Sequence, residues 1–174
     1  MDTLCGPPAT GTAVWFDDLD TPAMKLTEIL TKDCICVPLD AQDKTQAITE
    51  LVHLLAEKGR ISQRDVVLRA VLDREATRST AVGHGLAVPH GKCAGSPKLV
   101  MAVGKPSQPI DFGGKDGEPV NLIVLVCSPL DQTGPHIQAL ARIARMILIE
   151  KFRLAIAHAQ NSEDVYQAIS RFEV

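Results

Sequence analysis

The sequence predicts an α/β sandwich, and three features lead there. The run VNLIVLVCSP is continuously apolar through its middle, too short for an ordinary helix and bounded by turn residues, so it suits a strand buried on both faces. Segments with apolar residues at helical spacing stand on either side of it, around Ile48 to Leu55 and from His136 onward. Strand runs framed by helices give a sheet that is covered on both sides. The 174 residues, 45% of them apolar, are enough for one domain with a sizeable core.

Residues 1–23 are rich in Pro, Gly, Thr and Asp and hold no sustained period, so they read as a flexible or loosely docked arm. Within it AVWFDDLD, with the only Trp, reads as a segment packed on the domain or as a partner-binding motif. The compact domain is expected over residues 24–174. LTEIL suits a short helical turn, and CICVPLD, weakly alternating and β-branched, a strand. In DKTQAITELVHLLAEKGR, Ile48, Leu51, Val52 and Leu55 form a helical stripe that Gly59 ends; His53 beside it reads as structural. ISQRDVVLRAVLDREA follows as a second helix, with Ser62 and Asp65 as a capping box and Val67, Ala70 and Val71 as its apolar face. LAVPH and KLVMAVGK read as strands, the first ending at Pro89, and Asp116-Gly117 marks a tight turn in DFGGKDGEPV. HIQALARIARMILIEKFRLAIA is helical, and a last helix starts at Ser162, an N-cap with Glu163 and Asp164 in the first turn.

A formal charge of −3 argues against nucleic acid or an anionic membrane as the main target. No apolar run approaches the roughly 20 residues of a membrane-spanning helix. The first residues lack a basic and then apolar leader, so a cytoplasmic location is expected. The cysteines, Cys5, Cys34, Cys36, Cys93 and Cys127, are odd in number and scattered, which suits buried free thiols; Cys34 and Cys36 are expected on one face of a strand.

Two of the five histidines stand in suggestive settings. His90 closes a strand at a Pro-His-Gly corner, where Pro89 stiffens the entry and Gly91 frees the exit. The plain alternative is an idle loop histidine. His136 lies in the first turn of a helix that Thr133 or Gly134 caps and Pro135 suits, where free N–H groups and the dipole favour an anion and a neutral imidazole. Its plain alternative is a cap. Arg74 ends a helix just before a turn; it can fork onto phosphate oxygens, or merely pair with Asp73, Glu75 or the helix dipole. Arg78, Ser79 and Thr80 follow and could add donors. There is no GxxxxGK[ST] phosphate loop, no GxSxG elbow and no acidic metal cluster in the sequence. What remains suits histidine as a nucleophile toward phosphorus, with arginine and helix N–H groups stabilising the transferring charge.

These segments carry a resemblance. REATRSTAVGHGLAVPHGK resembles the active-site signature of the enzyme IIA domains of the bacterial phosphoenolpyruvate-dependent phosphotransferase system, in the fructose/mannitol class. DQTGPHIQALARIAR is similar to that family's second histidine segment, and AHAQNSEDVYQAI to its C-terminal helix. The likeness runs from about Lys25 to Val174, and PHGK together with DQTxxH is most similar to the nitrogen-regulatory branch. It implies a three-layer α/β/α fold around a mixed sheet. It implies that His90 Nε2 accepts a phosphoryl group from an HPr-like phosphocarrier, with His136 and Arg74 in support and Ser79 and Thr80 as phosphate-binding neighbours. It implies no cofactor or metal, and a regulatory target or a IIB domain as the next partner. His84 stands where the resemblance implies Asn or another polar residue and can tune the site; Arg78 stands where it more often implies Gly. With no carrier, IIB or membrane IIC domain among the 174 residues, a signalling role is expected. The alternatives are a separately encoded sugar-transport IIA, a binding module that takes no phosphate, and a zinc site built from His84, His90, His136 and Cys93.

Overall fold

The computed structural model describes residues 24–173. The expected arm at 1–23, with its AVWFDDLD motif and Cys5, lies outside the described residues. Two short 3-10 turns, Leu26–Glu28 and Lys32–Cys34, lead into strand β1 (Ile35–Leu39). Helices α1 (Lys44–Glu57) and α2 (Arg64–Thr77) follow, then strands β2 (Ala81–Gly83), β3 (Leu86–Ala87), β4 (His90–Lys92), β5 (Val100–Pro106) and β6 (Leu122–Ser128). Helices α3 (Thr133–Met146), α4 (Glu150–His158) and α5 (Ser162–Phe172) end the chain.

The strands form one mixed sheet in the order β1-β5-β6-β3-β2. β5 and β6 are antiparallel, while β1 runs parallel to β5, and β3 and β4 run parallel to β6. All seven residues of β6 are buried, as expected for a strand covered on both faces. On one side lie α1 and α2. A Cβ added at Gly104 would fall 3.2 Å from Leu51 of α1, and one at Gly91 would fall 3.1 Å from Val71 of α2. On the other side Leu86, Met101, Leu122 and Val124 face Ile143, Met146, Phe152 and Ile169, which belong to α3, α4 and α5. The architecture is therefore a three-layer α/β/α sandwich.

Several local expectations change. LAVPH is not one strand ending at Pro89. Proline has no N–H to give a ladder, so the strand is interrupted at Val88 and Pro89, where the Pro89 carbonyl still accepts from Val126 N, and resumes as β4 at His90. β3 and β4 thus lie end to end along one side of β6, pairing with Leu122–Ile123 and Val126–Ser128 respectively. Gly91 serves close packing against α2, not a freely angled exit. The Ser62–Asp65 capping box does not form, because the Gly95 carbonyl draws Ser62: Ser62 Oγ donates to it at 3.1 Å, as do the backbone N–H groups of Ser62 and Gln63. The last helix is capped one residue earlier than expected, by Asn161 Oδ1 accepting from Asp164 N, while Ser162 Oγ donates to the Ile35 carbonyl. The long C-terminal helical segment breaks after Met146, and Arg153 Nη1 satisfies the Ile147 carbonyl across the break. Cys34 lies in a 3-10 turn before β1, so it does not share a strand face with Cys36; Cys34, Cys93 and Cys127 are buried, Cys36 is half-buried, and all four are free.

Candidate active site

β4 positions His90. Its register against Val126 turns the ring to the α3 side of the sheet, while the neighbouring Gly91 faces α2. His90 is half-buried rather than fully exposed. Its Nδ1 lies 2.7 Å from the Val88 carbonyl. A carbonyl only accepts, so Nδ1 carries the proton and Nε2 keeps its lone pair. Burial lowers the His90 pKa below the usual histidine value, with the Arg74 charge acting in the same direction and the Val88 bond and Glu75 opposing them. The ring is therefore neutral at pH 7.

His136 reaches the same place from the start of α3. Its N–H closes the first turn onto Gln132, which is the N-cap without a side-chain bond; neither Thr133 nor Gly134 fills that role. Thr133 Oγ1 instead accepts from Lys92 Nζ at 3.1 Å, tying the start of α3 to β4. The two imidazoles meet edge to face, with centroids 5.6 Å apart and planes at 61°. His136 is 4% exposed and packs behind His90. Its Nδ1 lies 2.7 Å from Ser128 Oγ at the end of β6. Its pKa is lowered to about 4, first by burial, then by the repulsion that a second protonated ring beside His90 would meet, and by the Lys92 charge. The neutrality expected from the helix dipole thus has burial as its leading cause.

A cavity of about 810 Å³ opens beside His90, and Arg74, Arg78, Ser79 and Thr80 line it. Arg74 does not pair with Asp73 or Glu75. Its Nη1 donates to the Arg78 carbonyl at 3.0 Å, which leaves most of the fork directed by the loop that follows α2. The apolar wall includes Val82, Ile137 and Leu140. A nucleophilic ring nitrogen and a guanidinium at one cavity, with a neutral imidazole packed behind the first, can receive a phosphoryl group and spread its charge.

The family model described as phosphoenolpyruvate-dependent sugar phosphotransferase system, EIIA 2, matches residues 28–172. The chain belongs to the phosphotransferase-system EIIA type 2 family. As an EIIA domain it is a phosphoryl-carrying component of that system. The nitrogen regulatory protein of Escherichia coli is 33% identical over 153 residues, which span 86% of this chain and 92% of that protein. The fructose-specific EIIABC component of Bacillus subtilis is 29% identical over 150 residues, 86% of this chain but 24% of that longer protein. The crystal structure of the nitrogen regulatory protein IIA-Ntr from Neisseria meningitidis aligns with a TM-score of 0.76 at 28% identity, covering 82% of this chain and 97% of that one.

In this EIIA domain the structure brings together His90, His136 and Arg74, but it engages the Ser79 and Thr80 hydroxyls elsewhere. Ser79 Oγ donates to the Phe112 carbonyl at 2.7 Å. Thr80 Oγ1 donates to Glu75 Oε2 at 2.5 Å. His84 stands away from this cavity, on the β2–β3 turn, where its φ of 54° and the 73° of Gly85 build a tight hairpin. Among the described residues no group of three or more His, Cys, Asp or Glu side chains could hold a metal ion, so the four residues of the zinc alternative do not converge. Ser128 escapes sequence reasoning: a lone serine closing an apolar run looks like a strand end. Glu75 escapes too, because an acid beside an arginine near a helix end looks like a solvated charge.

Proposed function

We propose that His90 Nε2 accepts a phosphoryl group from a phosphohistidine on an HPr-like carrier protein, and that the state of His90 governs which regulatory protein the chain engages. The observation that carries this reading is the bond from His90 Nδ1 to the Val88 carbonyl, which fixes the tautomer that leaves Nε2 nucleophilic. The Nε2 lone pair forms the new P–N bond as the bond to the donor's ring nitrogen breaks, and the donor ring takes back its electron pair. No proton needs to leave His90 first. Arg74 meets the phosphoryl oxygens with a permanent charge. Ser128 Oγ–H, donating to His136 Nδ1, would leave the proton of neutral His136 on Nε2 as a donor to the same group. Ser79 and Thr80 shape the loop beside the phosphoryl group. The similarity to nitrogen regulatory proteins over nearly their whole length favours the regulatory output.

Incubation with phosphoenolpyruvate and the general carrier proteins is expected to add one acid-labile, base-stable phosphate. His90→Ala abolishes it, and His136→Ala slows its appearance while the fold persists. Label that survives His90→Ala overturns the assignment. The match to fructose-specific EIIABC components favours a second reading, transfer onward to a IIB domain. Rapid loss of label to an added IIB domain would select that reading, and indifference to it would select the regulatory one.

A further inference from the structure

Glu75 is a buried carboxylate that the transfer itself does not use. Its side chain is 3% exposed, on the last turn of α2. It accepts three hydrogen bonds from one residue: from Thr80 N at 3.2 Å and 3.3 Å to its two oxygens, and from Thr80 Oγ1 at 2.5 Å. Lys44 Nζ at the start of α1 stands 3.8 Å away and offsets its charge. Thr80 is itself 5% exposed and precedes β2. Burying a carboxylate is costly unless donors surround it, so this tether is a fixed geometry and not a chance surface contact.

The same short loop is held from two neighbouring residues of one helix. Arg74 Nη1 grips it at the Arg78 carbonyl, and Glu75 grips it at Thr80. Ser79 between them is fastened to Phe112. The loop in turn lines the cavity beside His90. If Thr80 drifts, the Arg78 carbonyl drifts with it, and the fork of Arg74 loses the contact that aims it.

We propose that Glu75 is a positioning residue: through Thr80 it sets the loop that aims the Arg74 guanidinium at the phosphoryl group on His90. This rests on the reading of His90 as acceptor. Misplacing a charge-stabilising group by about 1 Å can cost about 100-fold in rate. Glu75→Ala and Thr80→Val are therefore expected to lower the maximal rate of transfer from the phosphorylated carrier by about 10- to 100-fold, with the KM for that carrier unchanged. Thr80→Ser keeps the hydroxyl and restores the rate. Glu75→Gln keeps an acceptor for the Thr80 N–H and restores most of it. The double variant Glu75→Ala/Thr80→Val falls no further than either single one, because both remove the same tether. Amide exchange at Thr80 reads that tether directly and speeds up in Glu75→Ala even if no phosphate is ever added. Wild-type rates in both single variants, or a raised KM at an unchanged maximal rate, overturn the proposal. A wild-type protein that takes no label, with Thr80 exchange still governed by Glu75, overturns instead the acceptor reading on which the proposal rests.

Discussion

His136 holds the most consequential titration among the described residues. Its folded pKa of about 4 lies below the usual 6.5, so the unfolded chain binds the extra proton more readily between those values. Stability from this group is fully present above pH 6.5 and is lost as the pH falls toward 4. The shift is worth on the order of 3 kcal/mol, since one unit is about 1.4 kcal/mol. Urea unfolding at pH 7 and pH 5 is expected to show a lower midpoint at pH 5, and His136→Gln should flatten much of that difference. An unchanged slope in the variant would place the pH dependence elsewhere. Ser128 is tested separately. Ser128→Ala removes one buried hydrogen bond worth about 1 kcal/mol, and should slow transfer to His90 by up to about 10-fold by freeing the His136 ring to take the other tautomer. At this scale the sequence shows His90, His136 and Arg74, because their residue types announce their chemistry. It hides Ser128 and Glu75, whose importance comes from being buried against partners distant along the chain or across a turn.

Among elements, β6 and α1 are legible because each has a single strong signal: unbroken apolar residues in one, a clean helical stripe in the other. β4 is not. Three residues, His-Gly-Lys, carry no period, and only the waiting edge of β6 makes them a strand. The helix starts depart from the sequence pattern for a related reason: Ser62 and Ser162 have capping chemistry, but a carbonyl from elsewhere in the fold claims each hydroxyl. Two substitutions test how these elements are held. Gly91→Ala would set a Cβ 3.1 Å from the Val71 side chain and 3.2 Å from its backbone, so β4 must move away from α2. A cost of about 1–3 kcal/mol and slower transfer are expected, because His90 moves with the strand. Lys105 Nζ donates to the carbonyls of Ile156, Ala157 and Ala159, closing the end of α4. Lys105→Met should cost about 1–3 kcal/mol in denaturant unfolding and leave transfer intact, since α4 lies away from the His90 cavity.

For the whole molecule, the sheet brings two histidines distant in sequence into ring contact, with His90 at the cavity and His136 behind it. Val82 and Ile137 are 49% and 59% exposed there, an apolar rim where a carrier would dock. Ile137→Asp is expected to raise the KM for the phosphorylated carrier several-fold and leave the maximal rate nearly unchanged. The sandwich itself could be read from the alternation of strand and helix segments, whereas strand order and the end-to-end arrangement of β3 and β4 depend on pairings that no local pattern encodes. Phosphoryl acceptance turns most directly on which nitrogen of His90 is free. Nitrogen-15 and phosphorus-31 NMR of the phosphorylated protein should place phosphorus on His90 Nε2, with Nδ1 still protonated and bonded to the Val88 carbonyl. Phosphorus on Nδ1, or on any residue other than His90, would contradict it.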